Sequence, residues 1–347
     1  MPDDLTGRSS VPDDASPARA DAPGALAGRE KPHPHVTLGP GGEFDIIRRL
    51  VERWGDAAVG LGDDCAVMDM PPGTRLVATT DSSVDRVHFR ADWITPEEIG
   101  WRATAAAVSD LAAAAAEPLG IMLALTLPDE WLGRVDALAD GVGALAREAG
   151  IPIVGGDLTR GPVLALSITA LGSARRPLGR SGARPGDGVV VTGLLGGSTM
   201  AVRTWLAGDT PGDALRSRFA RPVPRLPEAR WLAQRGARAA VDISDGLASD
   251  LDHMAHASSV RIVMDAERTP VLDGLDWQTA ISSGEEYEVA MALPRDVDLP
   301  TLTREFQETF GLPLTHVATV EEGGIGLELR AGGARVDLPR GYDHFSG

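Results

Sequence analysis

Aspartates recur in this chain beside glycines and at the ends of apolar runs, where side chains are free to meet a ligand. They are Asp63 and Asp64 in Gly60-Leu61-Gly62-Asp63-Asp64-Cys65, Asp81 after Val77-Ala78-Thr79-Thr80, Asp157 after Gly155-Gly156, and Asp242 with Asp245 in Asp242-Ile243-Ser244-Asp245-Gly246. A single Asp in a turn is more often a hydrogen-bonded turn residue than a ligand. The recurrence is harder to dismiss, because glycine neighbours let backbone approach a bound molecule closely. Hard divalent cations such as magnesium prefer oxygen ligands and are commonly held by a few carboxylates plus phosphate oxygens. Clustered carboxylates would repel a nucleotide polyphosphate, so a nucleotide reading requires cations between the two. Phosphoryl transfer asks a protein mainly for alignment and charge neutralisation. If the acceptor is itself a phosphate, its oxygen is ionised near neutral pH and no general base is needed.

Several chemistries are excluded. Lys31 is the only lysine, so there is no P-loop lysine and no Schiff-base lysine in the body of the chain. Any phosphate must meet cations, arginines or backbone N–H groups. The net charge of −17 argues against a nucleic-acid or anionic-membrane surface, which needs a basic footprint. The single cysteine, Cys65, rules out an intrachain disulfide and a Cys-rich zinc site. No signal-peptide pattern and no run of ~18 apolar residues is present, and a cytoplasmic protein is the expectation.

The elements that must position these residues follow from periodicity. Residues 1–36, rich in Pro, Ala, Asp and Gly, read as a disordered tail. Phe44, Ile47, Leu50 and Val51 predict a helix after Gly42. Strands are expected at Ala66–Met68 and Arg75–Thr80, a helix over Pro96–Ala116 carrying Asp110, a strand at Ile121–Leu127, and a helix over Glu130–Glu148. A short strand, Ile151–Val154, is expected to end at Gly155-Gly156-Asp157, with another over Val163–Leu171. Arg, Gly and Pro cluster from Arg175 to Asp187, which marks a boundary. The second half opens with a strand at Val189–Thr192 and a helix from Ser198. Later, a strand at Ala239–Ile243 runs into a helix that buries Leu247, Leu251 and Met254. In open α/β sheets ligands bind beyond strand C-termini, where the acidic motifs are expected.

In their order along the chain these motifs resemble the thiamine-monophosphate kinase family, whose fold is that of aminoimidazole-ribonucleotide synthetase. The pieces are Gly41-Gly42-Glu43-Phe44, Gly60 to Ala66, Thr79-Thr80-Asp81 with Val87-His88-Phe89, Ser109-Asp110-Leu111-Ala112, and Gly155 to Gly161. They continue with Arg180-Ser181-Gly182-Ala183, Asp242 to Leu247, Gly284-Glu285-Glu286-Tyr287-Glu288 and Gly341-Tyr342-Asp343-His344-Phe345. The resemblance implies an α/β (α+β mixed) chain of two domains after the tail. Residues 37–178 would form an N-terminal ATP- and magnesium-binding domain with a mixed sheet that dimerises, and residues 179–345 a C-terminal α/β domain. It implies ATP-dependent phosphorylation of thiamine monophosphate by direct in-line transfer in a homodimer. Asp64, Thr79, Thr80, Asp81, Asp110, Asp157, Asp242 and Asp245 would bind several magnesium ions; Gly156, Asp157, Arg180 and Ser244 would contact ATP; His88, Glu285 and Tyr342 would contact thiamine monophosphate.

The chain also departs from the family. Ala107 stands for Asn, Ala114-Ala115 for Met-Gly, Asp85-Arg86 for Glu-Gly, Ser283 for Gly, Glu286 for Asp and Leu158 for Thr. Losing Gly at position 115 leads to the expectation of a different turn after the Asp110 helix. On pattern alone, His88 is a satisfied core histidine, Arg180 a loop residue and Tyr342 a C-terminal anchor. His253 and His256, with Asp250, have a zinc-like helical spacing, but surface histidines are the favoured reading. Gly193-Leu194-Leu195-Gly196-Gly197 lacks the full dinucleotide spacing. The rival readings are another ATP-using enzyme of the same fold and a degenerate sensor of nucleotide or thiamine phosphate.

Overall fold

The alanine-rich run is a helix, and the rest of the molecule is arranged around it. In the computed structural model, which describes residues 40–339, helix α2 (Pro96–Ala113) follows α1 (Gly42–Trp54) and β1 (Arg75–Val84). Its start is fixed by a capping box, with the Thr95 side chain on Glu98 N, the Glu98 carboxylate on Thr95 N, and Pro96 in the first turn. After it come β2 (Glu117–Leu127), α3 (Val135–Glu148), β3 (Ile153–Arg160) and β4 (Ala165–Ala174). The strands form a 4-stranded sheet in the order β1-β4-β2-β3, with only β2 and β3 parallel.

Residues 175–187 hold no regular element. The second lobe comprises β5 (Gly188–Thr192), α4 (Gly197–Leu206), α5 (Asp213–Ala220), α6 (Leu226–Gln234), β6 (Ala239–Asp242) and α7 (Leu247–Ser258), followed by β7 (Arg261–Asp265), α8 (Trp277–Ile281), β8 (Val289–Leu293), α9 (Leu299–Phe310), β9 (Leu314–Glu321), β10 (Gly326–Ala331) and β11 (Ala334–Val336). Its 7-stranded mixed sheet runs β11-β10-β7-β9-β5-β8-β6.

Helix α2 is buried on every side, not on one face as for an ordinary amphipathic helix. It packs on β1 and β4, on α3, and on α5, α6 and β6 of the second lobe. One apolar cluster therefore runs from Val108 and Leu111 through Phe219, Leu232 and Met291 to Phe306. A second lies around α7, with Leu247, Leu251 and Met254 wholly buried. Helices α2 and α3 cross at bare backbone: a Cβ on Gly141 would overlap the Glu97 carbonyl, and one on Gly100 the Leu138 carbonyl.

Three sequence expectations need correction. Ala66–Met68 forms no strand; it has no neighbour to pair with, Val67 is exposed, and Pro71-Pro72 follows. The helix expected from Glu130 is a short turn at Asp129–Trp131 and then α3 from Val135, with Gly133 in the break. The turn after α2 is not altered by losing glycine. Ala115 keeps φ at 51°, with Ala115 N on Ala112 O and Ala116 N on Leu111 O, which is a Schellman closure. An L-residue held there is strained. Ala115→Gly is expected to raise stability by about 1 kcal/mol, less a few tenths for the freer unfolded chain. The measurement is the urea midpoint at unchanged m-value; an unmoved or lower midpoint counts against the strain.

Candidate active site

The site is assembled where α2 meets both sheets. Strand alternation puts Val77, Thr79, Asp81 and Ser83 on the face of β1 towards α2, and Leu76, Ala78, Thr80 and Ser82 on the other. The Thr79 hydroxyl donates to Asp110 Oδ2 on α2. One residue earlier on that helix, the Ser109 hydroxyl donates to Asp242 Oδ2 at 2.8 Å, reaching the end of β6 in the second lobe. Beyond β6, Ser244 N and Asp245 N both donate to Asp250 Oδ2, at 3.1 and 3.2 Å, so a buried carboxylate of α7 shapes the Ser244-Asp245 loop. Glu285 comes from the loop before β8 and pairs with Arg102 Nη2 of α2 at 2.5 Å.

The electrostatics follow from this crowding. Burial lifts the Asp81 carboxyl to about 6, with the charges of Asp110 and Glu285 adding. Asp242 is pushed up to about 7, first by burial and then by Asp110 and Asp81, against the Ser109 hydroxyl and Arg180. Asp250 is also raised, by burial and by Asp242 and Asp245, and its Oδ1 is buried without a partner. Burial and mutual repulsion together favour the neutral form of these carboxyls.

Among the described residues, no group of three or more His, Cys, Asp or Glu side chains is already gathered as a metal site. The donors that do converge, Thr79, Asp81, Asp110 and Asp242, are all oxygens. That set suits magnesium, which is usually held by one or two carboxylates plus the phosphates of a substrate.

A raised carboxyl binds its proton more tightly in the folded chain than in the unfolded one. Stability contributed by Asp81 and Asp242 in their protonated form is therefore present at low pH and lost as pH rises from about 4 to about 7. Divalent ions would restore it by replacing the protons. Magnesium is expected to raise the melting temperature more at about pH 8 than at about pH 5.5. Equal shifts at both would disconnect these carboxylates from the ion.

The sequence-predicted residues do not all converge. Thr79, Asp81, Asp110 and Asp242 do, with Asp245, Ser244, Glu285 and Arg180 around them. Asp81 lies within β1 and Asp157 within β3, neither at a strand end. In register across the sheet, Asp81, Ile168, Leu123 and Gly156 share the covered face, while Ser82, Ser167, Ala124 and Asp157 share the open one. Asp157 and Thr80 thus point away from Asp81, and the Thr80 hydroxyl accepts from Thr169. The missing Cβ of Gly156 leaves room for the Leu123 carbonyl, so sheet packing already demands that glycine. Asp64 is on an exposed loop, its N–H on Asp63 Oδ1 at 2.8 Å. His88, in the turn beyond β1, has its Nδ1 accepting from Val84 N at 3.2 Å. Tyr342 and the tail lie outside the described residues.

Sequence reasoning missed Arg102, Tyr287 and the role of Asp250. Arg102 is wholly buried, stacked 3.8 Å over Phe219 and bonded to Phe219 O at 2.6 Å. A lone charge among alanines on a helix was its signal. Tyr287 is buried among Arg102, Glu285, Asp81 and Asp242. Asp250 was legible only as part of a zinc-like spacing with His253 and His256, yet it is fully buried beneath the Ser244-Asp245 loop.

Two lobes joined by a shared helix, with oxygen ligands at their seam, define a class. The N-terminal domain of AIR synthase related proteins matches residues 62–174, and the C-terminal domain of the same proteins matches residues 184–329. A thiamine-monophosphate kinase of Salmonella typhimurium is 35% identical over 330 residues, spanning 88% of this chain and 98% of that protein. The crystal structure of the thiamine-monophosphate kinase from Stenotrophomonas maltophilia K279a superposes with a TM-score of 0.75 at 35% identity, covering 84% of this chain and 98% of that one. AaThiL complexed with AMPPCP and TMP superposes at 0.69 with 29% identity, covering 87% and 96%. The chain belongs to the thiamine-monophosphate kinase family.

Proposed function

We propose that this protein transfers the γ-phosphoryl group of ATP to thiamine monophosphate, giving thiamine diphosphate and ADP. The observation that supports it most is the approach of Asp81, Asp110 and Asp242 from both lobes, with the carboxyls of Asp81 and Asp242 lifted by burial and by their acidic neighbours. An acceptor phosphate oxygen bonds to the γ-phosphorus as that atom's bond to the β–γ bridging oxygen breaks, and ADP leaves. Bound magnesium would neutralise the phosphates of both substrates, so they can approach a patch of carboxylates. Thr79, Asp81, Asp110, Asp242 and Asp245 would hold one group of ions, and Asp64, Thr80 and Asp157, which the structure sets apart from these, would have to hold others. Gly156, Asp157, Arg180 and Ser244 would contact ATP. His88, Glu285 and Tyr342 would contact thiamine monophosphate, Glu285 being held in place by Arg102. No side chain has to act as a base, because the attacking oxygen is already ionised.

The reading extends to a homodimer. Leu76, Ala78, Thr80 and Ser82 lie on a face of the 4-stranded sheet that is left uncovered among the described residues, and Leu76 is 56% exposed; a second copy laid there would bury it. Asp157 stands on that face and would sit at the interface. Residues 37–178 and 179–345 would be the working domains, and the cytoplasm, where ATP is at hand, the setting. Among the described residues no helix is long and apolar enough to cross a membrane.

The test is a panel of phosphate-monoester acceptors incubated with ATP and magnesium. Thiamine diphosphate should form from thiamine monophosphate in preference to the others. Calorimetric binding of both substrates without product would instead favour a sensor.

A further inference from the structure

The glycine-rich turn between β5 and α4 takes no part in the reaction above, yet it is built as an anion site. Helix N-termini leave backbone N–H groups unpaired and carry partial positive charge. At α4 these donors converge on one carboxylate. Glu286 Oε1 accepts from Gly196 N at 2.9 Å, from Ser198 N at 3.1 Å and from the Ser283 hydroxyl at 2.5 Å. Its Oε2 takes Arg218 Nη2 at 3.1 Å, and Ser283 Oγ in turn accepts from Thr199 N at 3.2 Å. The Glu286 side chain has no solvent exposure. Backbone N–H groups, a hydroxyl and a guanidinium around an enclosed anion are the parts of a phosphate cradle. Here the chain supplies the anion. Glu288 fills the other end of the turn: a Cβ on Gly193 would overlap its carboxylate, which Arg225 grips with both oxygens at 2.7 Å.

The filled cradle bears on the neighbouring residue. Glu285 and Tyr287 have φ of 55° and 53°, a left-handed conformation that L-residues adopt only when their surroundings impose it. With Glu286 pinned to α4, Glu285 is turned the other way, onto Arg102 beside Asp81. We propose that the N-terminal turn of α4 is an anion cradle whose resident ligand is the Glu286 carboxylate, and that this internal anion is the positioning residue that aims Glu285 at the acceptor. The second half of the proposal rests on the reading of Glu285 as an acceptor contact. Ser283 belongs to the same device, because its hydroxyl donates to Glu286 Oε1.

The test uses the full chain with Glu286→Ala and Glu286→Gln, and formate as the probe with chloride as the ionic-strength control. Glu286→Ala opens a carboxylate-sized space, so formate should raise its melting temperature and leave the wild type unmoved. In steady-state assays the KM for thiamine monophosphate should rise roughly tenfold or more, with kcat and the KM for ATP changed by less than about threefold. Formate should bring the acceptor KM back towards wild type. Glu286→Gln fills the space without the charge, so it should show the raised acceptor KM and no response to formate. If Glu286→Ala is insoluble, its refolding yield in formate against chloride is scored instead. No formate-specific gain in either measurement overturns the cradle. An equal rise in both KM values, or a fall in kcat alone, overturns the positioning role. A wild-type chain that makes no thiamine diphosphate sinks the kinase reading, while the formate effect on stability still decides the cradle.

Discussion

Asp110→Asn is expected to cut turnover by at least about 10³-fold while raising the melting temperature of the metal-free protein. Asp110 is half-buried near the end of α2, accepts the Thr79 hydroxyl, and pushes up both Asp81 and Asp242. An amide keeps the shape and can still accept from Thr79, so the helix and its packing are preserved. The charge that would balance cations on the polyphosphate is gone. Removing it also relieves repulsion among carboxylates that already titrate high, which stabilises the empty protein. Turnover assays and thermal melts of the same preparation give both readouts. Wild-type turnover would remove Asp110 from the site, and a lower melting temperature would show that its role is structural.

Gly141→Ala should have the largest effect on stability, about 3 kcal/mol or more. The added methyl would occupy the position of the Glu97 carbonyl, in the first turn of α2, and neither backbone can step aside without moving a whole helix. Gly133→Ala is the control, since a Cβ there meets nothing within 4 Å. Urea titration of the two variants should separate them clearly. A Gly141→Ala midpoint close to that of Gly133→Ala would mean that the helices slide apart freely. Because α2 carries Ser109 and Asp110, the same substitution should also lower activity per folded molecule.

Much of this was legible in the sequence because local pattern and final packing agree. The helix at Pro96, the strand starting at Ala239 and the apolar face of α7 follow from periodicity, and the structure has each of them. The family, too, could be read from ordered motifs. What could not be read depends on tertiary neighbours. Which side of a sheet is covered decides that Thr79 meets Asp110 and Thr80 does not, and adjacent threonines carry no sign of it. Gly156 is needed to admit a carbonyl of the adjacent strand, which mimics the signature of a ligand-binding glycine. Arg102 and Asp250 resemble ordinary charges on helices until the second lobe closes over one and the Ser244-Asp245 loop folds onto the other. The turn at Ala115 shows the converse: the helix and the strand after it fix the backbone so firmly that an alanine accepts a glycine's conformation.

The apolar cluster through α2 sets how the enzyme can work over time. Its members come from both lobes without a break, so swinging the lobes apart would wet Leu111, Phe219 and Met291 together. A clamshell cycle of gaping and snapping shut is therefore closed to this molecule. Substrates must arrive, and product depart, without the two lobes parting, while the central block stays still.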